Sequence, residues 1–105
     1  MDTITDKSVA VEILKQLGGH HFIAMTGARN FICDNNMMAF KIPSTMTKNR
    51  ISHIRITLNS MDTYDIEFLA IRGQNIKKVS EFNDIYNDGL RNLISSEIGL
   101  TLTIR

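Results

Sequence analysis

Residues 51–58 read ISHIRITL and residues 64–68 read YDIEF, and apolar residues alternate with polar ones from His53 to Leu58 and from Tyr64 to Phe68. A period of two is typical of β-strands that bury one face and leave the other in water. The two stretches lie close enough in the chain to pair as an antiparallel hairpin, and matching apolar residues across it fixes the register. The expected cross-strand pairs are Ile54 with Phe68, Ile56 with Ile66 and, on the wet face, Arg55 with Glu67.

Further strand signals stand on both sides of this hairpin. Residues 29–33 and 37–42 flank an Asp-Asn-Asn turn, and residues 76–80 follow a turn that contains a glycine. Asparagine, aspartate and glycine favour such turns because they tolerate positive φ or hydrogen-bond their own backbone. The apolar run at 22–26 is predicted as one more buried strand, with Gly27 as a bulge that bends it.

Two segments have the spacing of amphipathic helices. Residues 8–17 place apolar side chains on one helical face and stop at Gly18-Gly19, where glycine can adopt the left-handed conformation that closes a helix. Residues 82–98 repeat an apolar stripe at intervals of three and four residues and end at Gly99. We therefore predict one helix before the strands and one after them.

These elements predict a single domain over residues 1–105, of the α+β class. Consecutive antiparallel strands flanked by helices favour two layers: a meander of about five strands, with an N-terminal and a C-terminal helix packed on one face of it. The alternating tail after Gly99 could add a short C-terminal strand, either to this sheet or to that of a partner. Its apolar residues are Leu100, Leu102 and Ile104.

Length and composition exclude several classes of protein. The chain has 105 residues, of which 43% are hydrophobic and 22% charged, which suffices for one core without disulfide bonds. No apolar run is long enough to cross a bilayer, and the first residues lack the pattern of a secretory signal. The expected location is therefore the cytoplasm, and no membrane partner is expected. A single cysteine, Cys33, can make neither an intrachain disulfide nor half of a zinc site, so no metal is expected.

Signatures of catalysis are weak. His20 and His21 are adjacent and would point to opposite faces of an extended segment, which is a poor arrangement for chelating one ion. Cys33 lies beside a hairpin turn rather than at a helix N-terminus, where thiols become reactive. Gly27 belongs to neither a Walker loop nor a dinucleotide-binding fingerprint. We therefore expect a protein that is not an enzyme and takes no cofactor.

The positive charge is concentrated in the middle of the chain. The net charge is +1, but residues 1–40 carry three basic and four acidic groups, residues 41–78 seven and three, and residues 79–105 two and four. If the middle strands present their cations on one wet face, a phosphate backbone could lie across it. The competing interpretation is an ordinary solvated sheet face, because no aromatic platform for stacking bases accompanies the cations. The candidate binding residues of this basic face are Arg29, Lys41, Lys48, Arg50, Arg55, Arg72, Lys77 and Lys78.

The sequence resembles a group of short proteins of phages and mobile elements whose function is unassigned. The resemblance extends through nearly the whole chain, and the similar proteins show Asn followed by a basic residue where this chain has His20-His21. That difference weakens a metal site further. The resemblance implies a mobile-element origin and supplies no catalytic residues. The matching stretches are QLGG (16–19), FIAMTGARNF (22–31), FKIP (40–43), IRITL (54–58), YDIEF (64–68), IRG (71–73) and Ile85-Tyr86 with Leu90.

The sequence favours an interaction module over an enzyme. We expect a small accessory protein that binds a protein partner, such as a host or defence component, or a second copy of itself. The expected contact is the terminal strand with Leu100, Leu102 and Ile104, because an edge strand can pair with another chain. The alternative is association with nucleic acid through the basic face.

Overall fold

The computed structural model describes residues 8–43 and 47–99. Within them the chain forms two helices, then a run of five strands, then a third helix. A tight turn at Lys48–Arg50 precedes the third strand. The elements are α1 (Ser8–Leu17), α2 (His20–Thr26), β1 (Arg29–Asp34), β2 (Met37–Lys41), β3 (His53–Leu58), β4 (Tyr64–Arg72), β5 (Asn75–Ile85) and α3 (Asn87–Ile98).

The five strands form one antiparallel sheet in the order β1-β2-β3-β4-β5. Each strand pairs with the next one in sequence, so the sheet is a meander and β1 and β5 are its edges. The prediction of an α+β domain with an antiparallel meander between N-terminal and C-terminal helices is confirmed. The bounds of α1 also match those of the predicted first helix.

The register of β3 and β4 is the one that the alternation predicts. Both expected apolar pairs form, and their four side chains are buried. Arg55 pairs with Glu67 on the other face, where its guanidinium lies 3.2 Å from a carboxylate oxygen. The hairpin of β4 and β5 also forms, and Gly73 in its turn has a φ of 57°.

The core lies between the helices and one face of the sheet. α1 contributes Ile13 and Leu17, α3 contributes Leu90 and Ile94, and all four side chains are fully buried. Burial of an aliphatic side chain of this size contributes about 1.5–3 kcal/mol to folding. We call the side of the sheet that the helices cover the helix face and the other side the outer face. The inward residues of the central strands include Phe40, Ile54, Ile56, Ile66 and Phe68.

Residues 22–26 form a helix, so the prediction of a strand there is wrong. They belong to α2, which lies between Gly19 and Gly27, and both glycines have positive φ. Phe22 and Thr26 are the buried residues of α2, and the Thr26 hydroxyl donates to the Phe22 carbonyl over 2.8 Å. Four consecutive apolar residues look alike in a buried strand and in a short helix, so their period could not separate the two structures. Gly27 is accordingly the left-handed C-cap of α2 and not a strand bulge.

The last helix begins at Asn87, later than the predicted start at Phe82. Residues 82–85 are the end of β5, and Phe82 and Ile85 both pack against the core because a shift of register separates them. Within this bulge, Asp84 has a φ of 59°. A bulge moves the alternation by one residue, so two inward residues three apart imitate helical spacing. A residue with positive φ cannot continue a right-handed helix, which is why α3 starts only after it.

Part of the chain lies outside the described residues. The predicted C-terminal strand with Leu100, Leu102 and Ile104 falls there, as do residues 1–7 and 44–46. In the part of the chain that the structure describes, no helix is long and apolar enough to cross a membrane. The candidate binding surfaces belong to the edges and the two faces of the sheet.

Candidate functional site

The sheet edge at β1 exposes apolar side chains. Within residues 8–43 and 47–99, β1 pairs with β2 on one side, and no strand pairs with its other side. Ile32 is 61% exposed and shares the outer face with Arg55, whereas Phe31 is 36% exposed and packs its ring against buried Phe40 on the helix face. An edge strand presents unpaired N–H and C=O groups. Apolar side chains beside those groups favour the addition of a strand from another chain.

An open apolar groove lies between α1 and β1 on the helix face. Its volume is about 130 Å³, and its lining includes Val11 and Leu14 from α1 and Phe31 and Cys33 from β1. Val11 is 63% exposed although its helix neighbour Ala10 is buried. Of the described residues, only apolar ones and Cys33 line this groove. We call Val11, Leu14, Phe31 and Cys33 of this groove, together with Ile32 on the outer face of the same strand, the β1 patch.

The opposite edge, β5, carries charges. Exposed apolar surface on it comes from Ile76, which is 68% exposed. Two shifts of register interrupt the pairing of β5 with β4. Charged side chains and bulges hinder an edge strand from pairing with another chain. β5 is therefore blunted by its exposed charged residues, Lys77, Lys78, Glu81 and Asp84.

A polar network holds the end of β5 in place. The side-chain amide of Asn59 donates to the carboxylates of Asp65 over 3.0 Å and Asp84 over 3.2 Å. The side-chain carbonyl of Asn59 accepts the backbone N–H groups of Met61 and Thr63. The backbone N–H of Asp84 donates to Asp65 over 3.1 Å. The network ties the turn between β3 and β4 to the bulge of β5, and this role accounts for the clustering of the two acids.

Four of the predicted binding cations share the outer face. Residues directly opposite each other in a sheet point to the same face and lie about 5 Å apart. The first transverse row is Arg29, Lys41, His53, Leu69 and Lys78, and the second is Ile32, Ala39, Arg55, Glu67 and Glu81. The register thus brings Arg29, Lys41, Arg55 and Lys78 to one surface.

Two of these four cations, Arg55 and Lys78, form salt bridges with carboxylates. Glu67 lies 3.2 Å from Arg55 and 3.4 Å from Lys78. Glu81 lies 3.0 Å from Lys78. The hydrogen bonds to Glu81 and then Glu67 raise the pKa of Lys78 above its ordinary value. A phosphate on this face would have to compete with both carboxylates, which weakens the outer face as a surface for nucleic acid.

Three further predicted cations, Arg50, Arg72 and Lys77, line one cavity on the helix face. Lys77 pairs with Ala70, and Arg72 lies two residues beyond Ala70, so Arg72 and Lys77 fall on the helix face. Arg50, at the end of the tight turn before β3, lines this cavity together with Arg72 and Lys77. The volume of this cavity is about 440 Å³. Lys48 belongs to that turn, and its side chain lies outside the described part. The polar lining of this cavity also includes Asn49, Gln74 and Asn75.

His53 lies in the middle of the first outer row. Burial, followed by the nearby charge of Lys41, lowers the pKa of His53. The Ser52 hydroxyl oxygen lies 2.8 Å from Nδ1 and accepts the Ile71 N–H over 2.9 Å. A hydroxyl placed in this way can donate its proton to an unprotonated ring nitrogen. The surroundings therefore favour the neutral imidazole.

The residues considered for catalysis or metal binding lie in separate elements. His20 and His21 are neighbours in α2 rather than on an extended segment, and Cys33 belongs to the β1 patch. Among the described residues, no group of three or more His, Cys, Asp or Glu side chains could hold a metal ion.

Sequence reasoning did not single out Val11, Phe31 and Ile32. Their exposure depends on β1 being an edge of the sheet, which is a property of strand order rather than of local pattern. One local signal was present, since Val11 is apolar at a helical position outside the buried set Ala10, Ile13 and Leu17.

Comparison of the chain with models of protein families, with curated proteins and with solved structures finds no match. Function has therefore to be inferred from the geometry of the described residues.

Proposed function

We propose that this protein is an interaction module without catalytic activity, that it binds through the β1 edge, and that its partner is a second copy of the same chain. The observation that supports this proposal is the difference between the two edges: the β1 edge exposes apolar side chains, whereas the β5 edge exposes mostly charged ones. Natural sheets usually blunt their edges against pairing. The β1 edge also has one bulge and exposes Arg29 and Asp34 at its ends, but its centre, Phe31 and Ile32, is apolar, and this favours a protein contact.

Antiparallel pairing of two β1 strands about a twofold axis is self-complementary. Residues opposite each other must lie on the same face of the joined sheet, so only positions of equal parity can pair. Pairing Ile32 with its own copy centres the contact on the exposed apolar residue of β1, and it brings the bulge residue Asn30 opposite Asp34 only at the two ends of the pairing. This register would place Phe31 opposite Cys33 of the partner subunit. The two grooves would then form one apolar surface with Val11 at each end.

The resemblance to phage and mobile-element proteins makes an accessory protein of such an element the expected biological setting, with the cytoplasm as its location. The alternative function, association with nucleic acid through the outer face, has less support. Glu67 and Glu81 form salt bridges with Arg55 and Lys78 there. A phosphate would have to break these salt bridges, which would lower its net binding free energy.

The test is the mass in solution of the wild type and two variants, measured by sedimentation velocity over a wide range of concentrations. Ile32→Lys places a charge on the β1 edge, and Ile76→Lys places the same charge on the β5 edge at a residue of similar exposure. We expect the wild type and I76K to dimerise with the same affinity and I32K to remain monomeric. A wild type that stays monomeric at every concentration, or equal dissociation of both variants, would refute the proposal.

A further inference from the structure

We propose a second binding site, for a small phosphate-bearing molecule such as a nucleoside diphosphate, in the cavity lined by Arg50, Arg72 and Lys77. We call this cavity the cation pocket. It lies beside the hairpin of β4 and β5, near the opposite edge of the sheet from β1. The site is therefore independent of pairing at the β1 edge.

Charge is the first observation that supports the site. Three cations line one cavity, and among the described residues no salt bridge joins any of them to an acidic side chain. No Asp or Glu of residues 8–43 and 47–99 lines the cavity. Cations gathered without carboxylates raise the local positive potential, and a multiply charged anion is the ligand that such a potential attracts.

The remaining lining fits a phosphorylated small molecule. Guanidinium groups can hold phosphate oxygens through two parallel hydrogen bonds, and the pocket offers two of them, Arg50 and Arg72. The amides of Asn49, Gln74 and Asn75 can bind further phosphate or sugar oxygens. The volume of about 440 Å³ falls within the range of sites for small ligands, about 300–1,000 Å³. The cavity is open to solvent and is large enough for one small molecule.

Ordered backbone brings the three exposed cationic residues to one place. Lys77 and Arg72 belong to paired strands, which position side chains more firmly than loops do. Arg50 belongs to a tight turn whose next residue, Ile51, is fully buried. The Thr47 hydroxyl donates to the Ile51 carbonyl over 2.8 Å and closes that turn.

Lys77 and Lys78 provide a matched pair for the test. They are adjacent in β5 but lie on opposite faces, because Lys77 pairs with Ala70 and Lys78 with Leu69. Lys77 lines the cation pocket, whereas Lys78 forms salt bridges with Glu67 and Glu81. Replacing either lysine by alanine removes one positive charge, so an effect of net charge alone would be the same in both variants.

The experiment is calorimetric titration of ADP into the wild type, Lys77→Ala and Lys78→Ala at low salt, with inorganic phosphate and a single-stranded oligonucleotide as further ligands. We expect the wild type to bind ADP, Lys77→Ala to bind it about tenfold more weakly, and Lys78→Ala to stay within about twofold of the wild type. Arg50→Gln should weaken binding as Lys77→Ala does. Inorganic phosphate should bind more weakly than ADP, with the same dependence on Lys77.

Two results would overturn the proposal. One is a wild type that does not bind ADP at low salt, including the case in which only the oligonucleotide binds. The other is equal weakening of ADP binding by Lys77→Ala and Lys78→Ala, which would indicate a general effect of charge. Because both lysines are exposed, circular dichroism should show the same fold in all variants. Ile32→Lys should bind ADP with wild-type affinity, which separates this site from the β1 edge.

Discussion

The two edges of the sheet share one backbone chemistry but differ in side chains and regularity. β1 exposes Phe31 and Ile32 at consecutive positions and has one shift of register, followed by a regular stretch at 32–34. β5 exposes mainly charged residues, and two shifts of register interrupt its pairing. Unpaired backbone groups alone therefore do not decide where a second strand can be added. Side chains and bulges decide it, and they favour β1.

The largest expected effect is a disulfide that forms at one edge only. Ile32→Cys in a Cys33→Ser background places one thiol per chain at the position that pairs with itself across the proposed twofold axis. Directly paired strand residues have Cα atoms about 4.5–5.5 Å apart, which suits a disulfide. Under mild oxidation we expect most of this variant to form a covalent dimer on a non-reducing gel. Ile76→Cys in the same background is the control and should remain largely monomeric. Equal cross-linking at both positions would contradict the proposal that chains pair through β1 and not through β5.

The glycines that lead the chain into the two edge strands should differ in their tolerance of a side chain. Both have positive φ, 72° at Gly27 and 57° at Gly73. A Cβ at Gly27 would lie 3.1 Å from two ring atoms of Pro43, whereas a Cβ at Gly73 would meet nothing within 4 Å. We expect Gly27→Ala to lower the free energy of unfolding by about 3 kcal/mol and Gly73→Ala by about 1 kcal/mol, measured by urea denaturation. Equal losses would show that Pro43 moves aside at little cost.

A smaller difference is expected between the bulges of the two edges. Asn30 in β1 and Asp84 in β5 have φ of 55° and 59°, which alanine adopts less readily than asparagine or aspartate. The Asp84 carboxylate also accepts hydrogen bonds from Asn59 and from the Thr63 hydroxyl. We expect Asp84→Ala to cost about 2 kcal/mol and Asn30→Ala about 1 kcal/mol of unfolding free energy. The excess at Asp84 should shrink in an Asn59→Ala background; if it does not, the network does not stabilise the β5 edge.

The smallest expected effect concerns His53, in the outer row that connects the two edges. Burial and the charge of Lys41 lower the pKa of His53, so the unfolded chain binds a proton more readily than the folded one. Stability is therefore complete above the ordinary histidine pKa of about 6.5 and decreases as the pH falls below it. His53→Gln should flatten the dependence of urea unfolding on pH between about pH 7 and pH 5, and Lys41→Gln should reduce it. An unchanged pH dependence in His53→Gln would contradict this assignment.

The sequence predicted the parts of the fold that depend on local alternation. The register of β3 and β4 followed from a period of two, and the bounds of α1 followed from its apolar stripe and the glycines after it. The two errors occurred where different structures share one pattern. A short apolar run at 22–26 fits a helix or a strand, and a bulge at Asp84 gives β5 the spacing of a helix.

The candidate sites were less accessible from the sequence. Alternation brought Lys41, Arg55 and Lys78 to one face, but it could not show that Glu81 would reach Lys78 there. The cation pocket joins Arg50 from a turn with Arg72 and Lys77 from a hairpin, and that contact depends on the tertiary fold. The exposure of the β1 patch depends on strand order in the same way.

Hydrogen–deuterium exchange of the wild type at low and high protein concentration tests the central claim most directly, because it reports on each edge separately without any substitution. If two chains pair through β1, those amides of residues 31–34 that point away from β2 should exchange more slowly as the concentration rises, while the amides of residues 76–84 in β5 should exchange at a constant rate. Exchange at β1 that does not depend on concentration, or slowing at β5 instead, would contradict the account.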